Sequence, residues 1–280
     1  QNPKWHCFMN ASVQALFAVP DARAAIRSVG GARPAAWEWW RFAARGNAAQ
    51  RSRSAPDFDG LLACTLRTME SHPGSKPIRL EAMEQVFYNS TQEDASEFLQ
   101  ELLDVDRAPT ASSLFQMEKT ETLVCGKVGC GGWQVVEGDR DLTCLTVRIP
   151  AGSVTSVQEA IGQSSAGELM ESDFRWVCPK GCGWPTAVKR WELTKSPQVL
   201  WVHVVAQTYD RERRRVLKVP HSIVPSAEVV VGGQQYELAS CVFHHGEGFH
   251  TGHYNAICRT TAGGEVRWEL RDDGSVKTCP

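Results

Sequence analysis

Apolar residues recur three and four apart through the first hundred positions, then alternate with polar ones in short runs. From residue 8 to residue 19 there is no Gly or Pro, and Met9, Val13, Leu16 and Phe17 fall at helical spacing until Pro20. The pattern predicts a helix with Cys7 at its N-terminus. Residues 21–85 read as helical but interrupted. Trp37, Trp39 and Trp40 share one stretch that reads as a helix docked on the core, and 46–60 is a polar Gly/Ser/Arg-rich connection. The clearest helix is 91–104: Ser90 as N-cap with Glu93 three positions on forms a capping box, and Ala95, Phe98, Leu99, Leu102 and Leu103 line one buried face. Asp94, Glu97 and Glu101 share a different face.

Beyond residue 115 the periodicity shortens to β-type runs at 142–149, 199–205, 236–243, 253–259 and 266–270, punctuated by Gly. The second half is therefore expected to be mostly antiparallel sheet, and the fold class α+β. No repeat of 20–50 residues is present. The basic run from Arg211 to Arg215 reads as a solvated turn between strands.

Composition excludes several classes. Hydrophobic residues make up 42% of 280 residues, with 10 Trp and 10 Phe, enough for a packed core and too many for a disordered chain. Lys and Arg number 30 against 32 Asp and Glu, a net charge of −2, so nucleic acid is not an expected partner. The longest apolar runs, such as 199–206, fall short of the ~18 residues of a membrane span, so no membrane partner is expected. The opening Gln1-Asn2-Pro3-Lys4-Trp5-His6-Cys7 carries no export signal, which points to a reducing compartment, cytoplasmic or nuclear. It also carries no initiator Met and reads as part of a longer chain. The length fits one elaborated domain, expected to be monomeric.

Four of the ten cysteines form two short loops, Cys125-Gly-Lys-Val-Gly-Cys130 and Cys178-Pro-Lys-Gly-Cys182. Such paired loops bring four thiolates to one structural zinc in ribbon-type sites; core cysteines or a disulfide are the alternatives. A cysteine at a helix N-terminus feels the positive end of the helix dipole, which favours the nucleophilic thiolate, although isolated cysteines are commonly buried and inert. Catalysis needs a base in reach and a group that orients it. His253 opens an apolar strand after a loop holding Gly246, Gly248 and Gly252, and the following strand ends in Asp272-Asp273, a hairpin's length away. Cys7, His253 and Asp272 make a nucleophile, base and orienter in chain order, with no catalytic cofactor required.

Four blocks carry a resemblance: Asn2…Cys7-Phe-Met-Asn10-Ala-Ser-Val-Gln14-Ala-Leu16; Gln92-Glu-Asp94-Ala-Ser-Glu97-Phe98; Gly252-His253-Tyr254; and Trp268…Asp272-Asp273…Val276. In this order they resemble the cysteine, Gln-Gln-Asp and histidine boxes of the ubiquitin-specific protease family. The resemblance implies a papain-like cysteine protease hand in a single catalytic domain, 1–280, with a helical thumb (1–114), zinc-ribbon-like β fingers (115–195) and an antiparallel β palm (196–280). It implies cleavage after the C-terminal glycine of ubiquitin or a ubiquitin-like modifier. Cys7 is then the nucleophile, His253 the general base and Asp272 its orienter, with Asn2 stabilising the oxyanion and Asp273 a second, assisting carboxylate. Asp94 and Glu97 are expected to bind the arginine-rich tail of the modifier.

The chain departs from the family at three places: Lys4-Trp5-His6 stands where a small Gly-Asn-Thr-like run is usual, Val204-Val205-Ala206-Gln207 stands where a Leu-Lys-Arg-Phe strand end is common, and the Cys loops enclose four and three residues instead of two. The His6 side chain is expected to point away from Cys7. His244, His245 and His250 read as a polar gate in the loop before the catalytic strand. A module that grips ubiquitin without cleaving it is the alternative function.

Overall fold

The computed structural model describes residues 6–29, 57–71, 80–87, 93–148, 155–170, 176–205, 207–210, 214–218, 223–246 and 251–279. Asn2, Lys4, Trp5, the Trp37/Trp39/Trp40 group, Ser90, Gln92, the first three residues of the 211–215 run, Gly248 and His250 lie outside them. The chain divides into two compact units, Gln1–Leu114 with Ala239–Pro280, and Phe115–Leu238.

The first unit opens with α1 (Cys7–Ala18) and α2 (Pro20–Ser28). Pro20 does not simply end a helix. It occupies the first turn of α2, where its missing N–H would have had no intrahelical partner, so the chain bends at Val19 and resumes. Next come α3 (Phe58–Ser71), α4 (Glu81–Phe87), α5 (Ala95–Leu102) and α6 (Pro109–Ser112). α3 starts within the stretch read as a connection, because Asp57 Oδ1 accepts from the Gly60 N–H at 2.9 Å while Phe58, Leu61 and Leu62 are buried.

α5 is shorter than the predicted 91–104 helix, and its N-cap is Asp94. Asp94 Oδ1 accepts from the N–H groups of Ser96 (2.7 Å) and Glu97 (3.2 Å), and a carboxylate adds dipole stabilisation that a Ser cap lacks. The N-cap position of α6, Ala108, has no capping side chain, and Asp59 of α3, 5% exposed, serves its open end instead, accepting from Thr110 N–H at 2.7 Å and Ala111 N–H at 2.9 Å. The helical core is aromatic: ring centroids of Phe8 and Phe98 lie 5.5 Å apart, Phe98 and Phe87 4.9 Å, and Phe87 and Phe58 5.4 Å. The two contacts to Phe98 are edge-to-face, the arrangement in which ring quadrupoles attract.

The second unit holds β1 (Met117–Cys125), β2 (Trp133–Leu142), β3 (Leu145–Arg148), β4 (Thr155–Ser156), α7 (Val157–Ala166), β5 (Glu168–Leu169), β6 (Ala187–Lys195), β7 (Val202–Val205), β8 (Gln207–Asp210), β9 (Arg215–Lys218), β10 (Ile223–Val224), β11 (Glu228–Val231) and β12 (Gln234–Glu237). Its largest sheet is antiparallel, in the order β2-β1-β6-β5. The pairs β3–β7 and β4–β10 are parallel. Met117, Leu145, Val147, Ala160, Ile161 and Val231 form one core, and Leu123, Cys125, Trp176, Cys178 and Ala187 a separate cluster at the far end of β1.

The chain then re-enters the first unit as a meander of β13 (Ser240–His245), β14 (His253–Ala262), β15 (Glu265–Asp272) and β16 (Ser275–Cys279). The run predicted at 236–243 is thus split between β12 and β13. α1 packs on β13 and β14. Ser240 Oγ donates to the Ala15 carbonyl at 3.0 Å, and the Cys258 thiol to the Gln14 carbonyl at 3.6 Å. With β13 and β14 on it and α2 and α5 also in contact, α1 is buried nearly all round, which accounts for apolar residues on every side of it. Among the described residues no helix is long and apolar enough to cross a membrane.

Candidate functional site

α1 begins at Cys7, and its docking on β14 sets the thiol against the first residues of that strand. The Tyr254 backbone N–H hydrogen-bonds to the Cys7 sulfur. The preceding residue, His253, directs Nε2 to Asp272 Oδ1 at 2.5 Å. Gly252 makes this start of β14 possible: its φ of 155° is one that L side chains rarely adopt, and a Cβ there would run into the His245 carbonyl and His244 Nε2. The structure therefore brings Cys7 beside the strand start that carries His253, and joins His253 to Asp272.

Cys7 is 4% exposed. Burial pushes its thiol above the ordinary value; the Tyr254 N–H works in the opposite direction, and the negative Asp273 carboxylate adds to the rise. The dipole rule predicted a favoured thiolate. Desolvation of the charged form outweighs it in the free protein.

Asp273 belongs to the same cluster, its carboxylate, that of Asp272 and a ring nitrogen of His253 lying within 4.8 Å of one another. It occupies the β15–β16 turn with φ of 49°, a left-handed conformation that Asp adopts more readily than most residues. Asn10 Nδ2 donates to Asp273 Oδ1 at 3.0 Å, and Gln14 Nε2 to the Asp273 carbonyl at 3.3 Å.

The Tyr254 hydroxyl hydrogen-bonds to the Asp94 carboxylate and to the Ala95 backbone. Burial raises the phenol, and Asp94 raises it further. Asp94 thus serves α5 as cap and Tyr254 as partner, while Glu97 is exposed one turn on. His244 and His245 sit on β13, not in a loop, because the ladder with β14 continues through them: the His244 ring packs at a tilt against Tyr254 with centroids 4.5 Å apart, and His245 Nε2 lies 3.2 Å from Asn255 Oδ1. His6 is buried, with Nδ1 3.4 Å from Glu84 Oε1. Tyr254, Asn10 and Gln14 had no assigned role from sequence. The only earlier signal was their place inside the matching blocks.

A second constellation lies at the far end of β1. The Sγ atoms of Cys125, Cys130, Cys178 and Cys182 lie within 4.8 Å of one another, with Cys125–Cys182 and Cys130–Cys178 each at 3.6 Å. A disulfide needs about 2.05 Å. Tetrahedral thiolates at about 2.3 Å from one ion stand about 3.8 Å apart, so the four fit a metal ion. The loops fold closely around the four sulfurs. Cys125 N–H donates to the Gly132 carbonyl at 2.8 Å and Gly181 N–H to the Cys178 carbonyl at 2.8 Å, and Gly129, Gly131, Gly181 and Gly183 all have positive φ. A Cβ on Gly132 would stand 2.6 Å from Cys178 Sγ, so the backbone presses against the sulfur cluster.

The chain is 27% identical over 219 residues to the probable ubiquitin carboxyl-terminal hydrolase 9 of Schizosaccharomyces pombe, covering 69% of this chain and 35% of that protein. It is 25% identical over 240 residues to ubiquitin carboxyl-terminal hydrolase 12 of Salmo salar (71% and 62%), and 25% identical over 145 residues to ubiquitin carboxyl-terminal hydrolase 4 of Arabidopsis thaliana (49% and 39%). It spans between 35% and 62% of the length of these relatives. The family model described as ubiquitin carboxyl-terminal hydrolase matches residues 1–280, all four blocks and both Cys loops included, and the chain belongs to that family.

Proposed function

We propose that the chain is a thiol-dependent deubiquitinase that hydrolyses the isopeptide or peptide bond after the C-terminal glycine of ubiquitin or a ubiquitin-like modifier. The observation that carries this reading is the contact between the Cys7 sulfur and the Tyr254 N–H, one residue from a His253 already bonded to Asp272. With Nε2–H given to Asp272, Nδ1 is the nitrogen with a free lone pair. Substrate binding brings the glycine carbonyl to Cys7. The thiol proton passes to Nδ1 as the S–C bond forms, and the oxyanion takes the electron pair. Collapse breaks the C–N bond, and Nδ1–H protonates the leaving lysine amine. Water then gives a proton to Nδ1 and attacks the thioester, and the sulfur leaves and regains the proton. A raised thiol suits this sequence, because the proton moves only when the carbonyl is in place.

By the same resemblance, Asn2 is proposed to stabilise the oxyanion and Asp273 to assist. Exposed Glu97 and the cap residue Asp94 are proposed anchors for the modifier's arginine-rich tail; a carboxylate has lone pairs beyond those used in capping. The four finger thiolates are proposed to hold one zinc, a closed structural site that cross-links the two Cys loops and takes no part in the chemistry. Ubiquitin conjugates are the proposed partners, on the family match, and a reducing compartment, cytoplasmic or nuclear, is proposed with them. The thumb, fingers and palm division is proposed on the same grounds.

A ubiquitin probe with a C-terminal electrophile tests the reading. Covalent capture by the wild type and none by Cys7→Ala assigns the enzyme. Burial of Cys7 favours one second reading, a module that binds ubiquitin without cleaving it, and tight binding without capture assigns that module.

A further inference from the structure

We propose that Asn10 and Gln14 are positioning residues that clamp the carboxylate end of the site to the nucleophile's own helix. The inference rests on the catalytic reading above and adds to it how the base is held. The β14–β15 ladder runs from Ala262↔Glu265 to Ala256↔Arg271 and stops there, so Asp272 stands one residue past it, paired across β16 with Ser275. Asp272 is half-exposed, and Asp273 beyond it has a positive φ. A strand end of this kind frays unless something else holds it.

Asn10 and Gln14 are four residues apart and therefore share one face of α1. One takes the Asp273 carboxylate and the other its carbonyl, so the side chain and the backbone of the same turn residue are both fixed. Asn10 lies one turn beyond Cys7 on a helix buried nearly all round. The helix that carries the nucleophile thus holds the turn that carries Asp272, and Asp272 holds His253. Asn10 has an electrostatic role as well. Asp273 pushes the Cys7 thiol up, and an amide N–H donated to that carboxylate disperses its charge.

The test uses the whole chain and three variants. Asn10→Ala is expected to lower kcat on C-terminally fluorogenic ubiquitin about tenfold with KM changed less than twofold, and Gln14→Ala to lower it by a smaller factor. Iodoacetamide alkylation of Cys7 at pH 8, which needs no ubiquitin, is expected to slow threefold or more in Asn10→Ala. Asn10→Asp keeps shape and helix but sets two carboxylates at hydrogen-bond distance, which share a proton only in acid. Its kcat relative to wild type is therefore expected to climb as pH falls from 8 to 6, a change a merely structural role would not produce. Wild-type kcat and alkylation rate in Asn10→Ala, or a pH-independent ratio for Asn10→Asp, overturns the clamp. If the wild type does not turn over ubiquitin yet its Cys7 alkylation slows in Asn10→Ala, the clamp stands and the deubiquitinase reading falls.

Discussion

Replacing Asp94 separates its two roles. In Asp94→Ala the N–H groups of Ser96 and Glu97 lose the acceptor they share, at 2.7 and 3.2 Å. Loss of an N-cap costs about 0.5–2 kcal/mol. The buried Tyr254 hydroxyl also loses the carboxylate it donates to, and an unsatisfied buried donor costs about 1–3 kcal/mol. Together about 1.5–5 kcal/mol is expected, roughly 3–20 °C in Tm for a unit of this size. Asp94→Asn keeps the capping oxygen and loses the charge, so it is expected to cost only about 1 kcal/mol. Urea and thermal unfolding followed by circular dichroism read both variants. Equal destabilisation by Ala and Asn refutes the capping argument, since Asn caps as well as Asp. KM for a ubiquitin substrate then reads the anchor: a rise of about tenfold in Asp94→Asn, shrinking at high salt, is expected if the charge grips an arginine.

Other outcomes follow from the same geometry. Elemental analysis is expected to find one zinc per chain, and Cys130→Ser to lower it severalfold and reduce thermal stability; less than a tenth of a zinc in a folded sample contradicts the metal site. Burial holds the folded Cys7 thiol above its ordinary range, which favours the thiol over the thiolate at neutral pH. Alkylation of Cys7 is therefore expected to keep rising through pH 9, and a plateau reached by pH 7 contradicts the burial argument. Gly252→Ala, whose Cβ meets the His245 carbonyl and His244, is expected to lower kcat at least tenfold while binding of ubiquitin persists.

What could be read from sequence is what local pattern carries. The spacing of Met9, Val13, Leu16 and Phe17 located α1 to within a residue at each end, and the paired Cys loops announced a four-sulfur cluster. A hairpin's length was enough to set Asp272 beside His253. The failures come from tertiary context. Ser90 and Asp94 are both acceptable caps by type, and the structure uses Asp94, whose carboxylate also meets Tyr254 from a distant strand. The direction of the Cys7 shift follows from what packs over α1, which a dipole rule applied to one helix does not contain. His244 and His245 belong to β13 because a partner strand continues the ladder past the expected end. The Asn10 and Asp273 pair spans 263 positions, and no periodicity connects residues so far apart.

The most direct measurement is intact-mass and peptide mapping after incubation with ubiquitin carrying a C-terminal electrophile. One ubiquitin per chain is expected, attached to Cys7, with the adduct absent in Cys7→Ala and formed at least a hundredfold more slowly in His253→Ala. Attachment to any of the other nine cysteines, or capture at the wild-type rate in His253→Ala, contradicts the account.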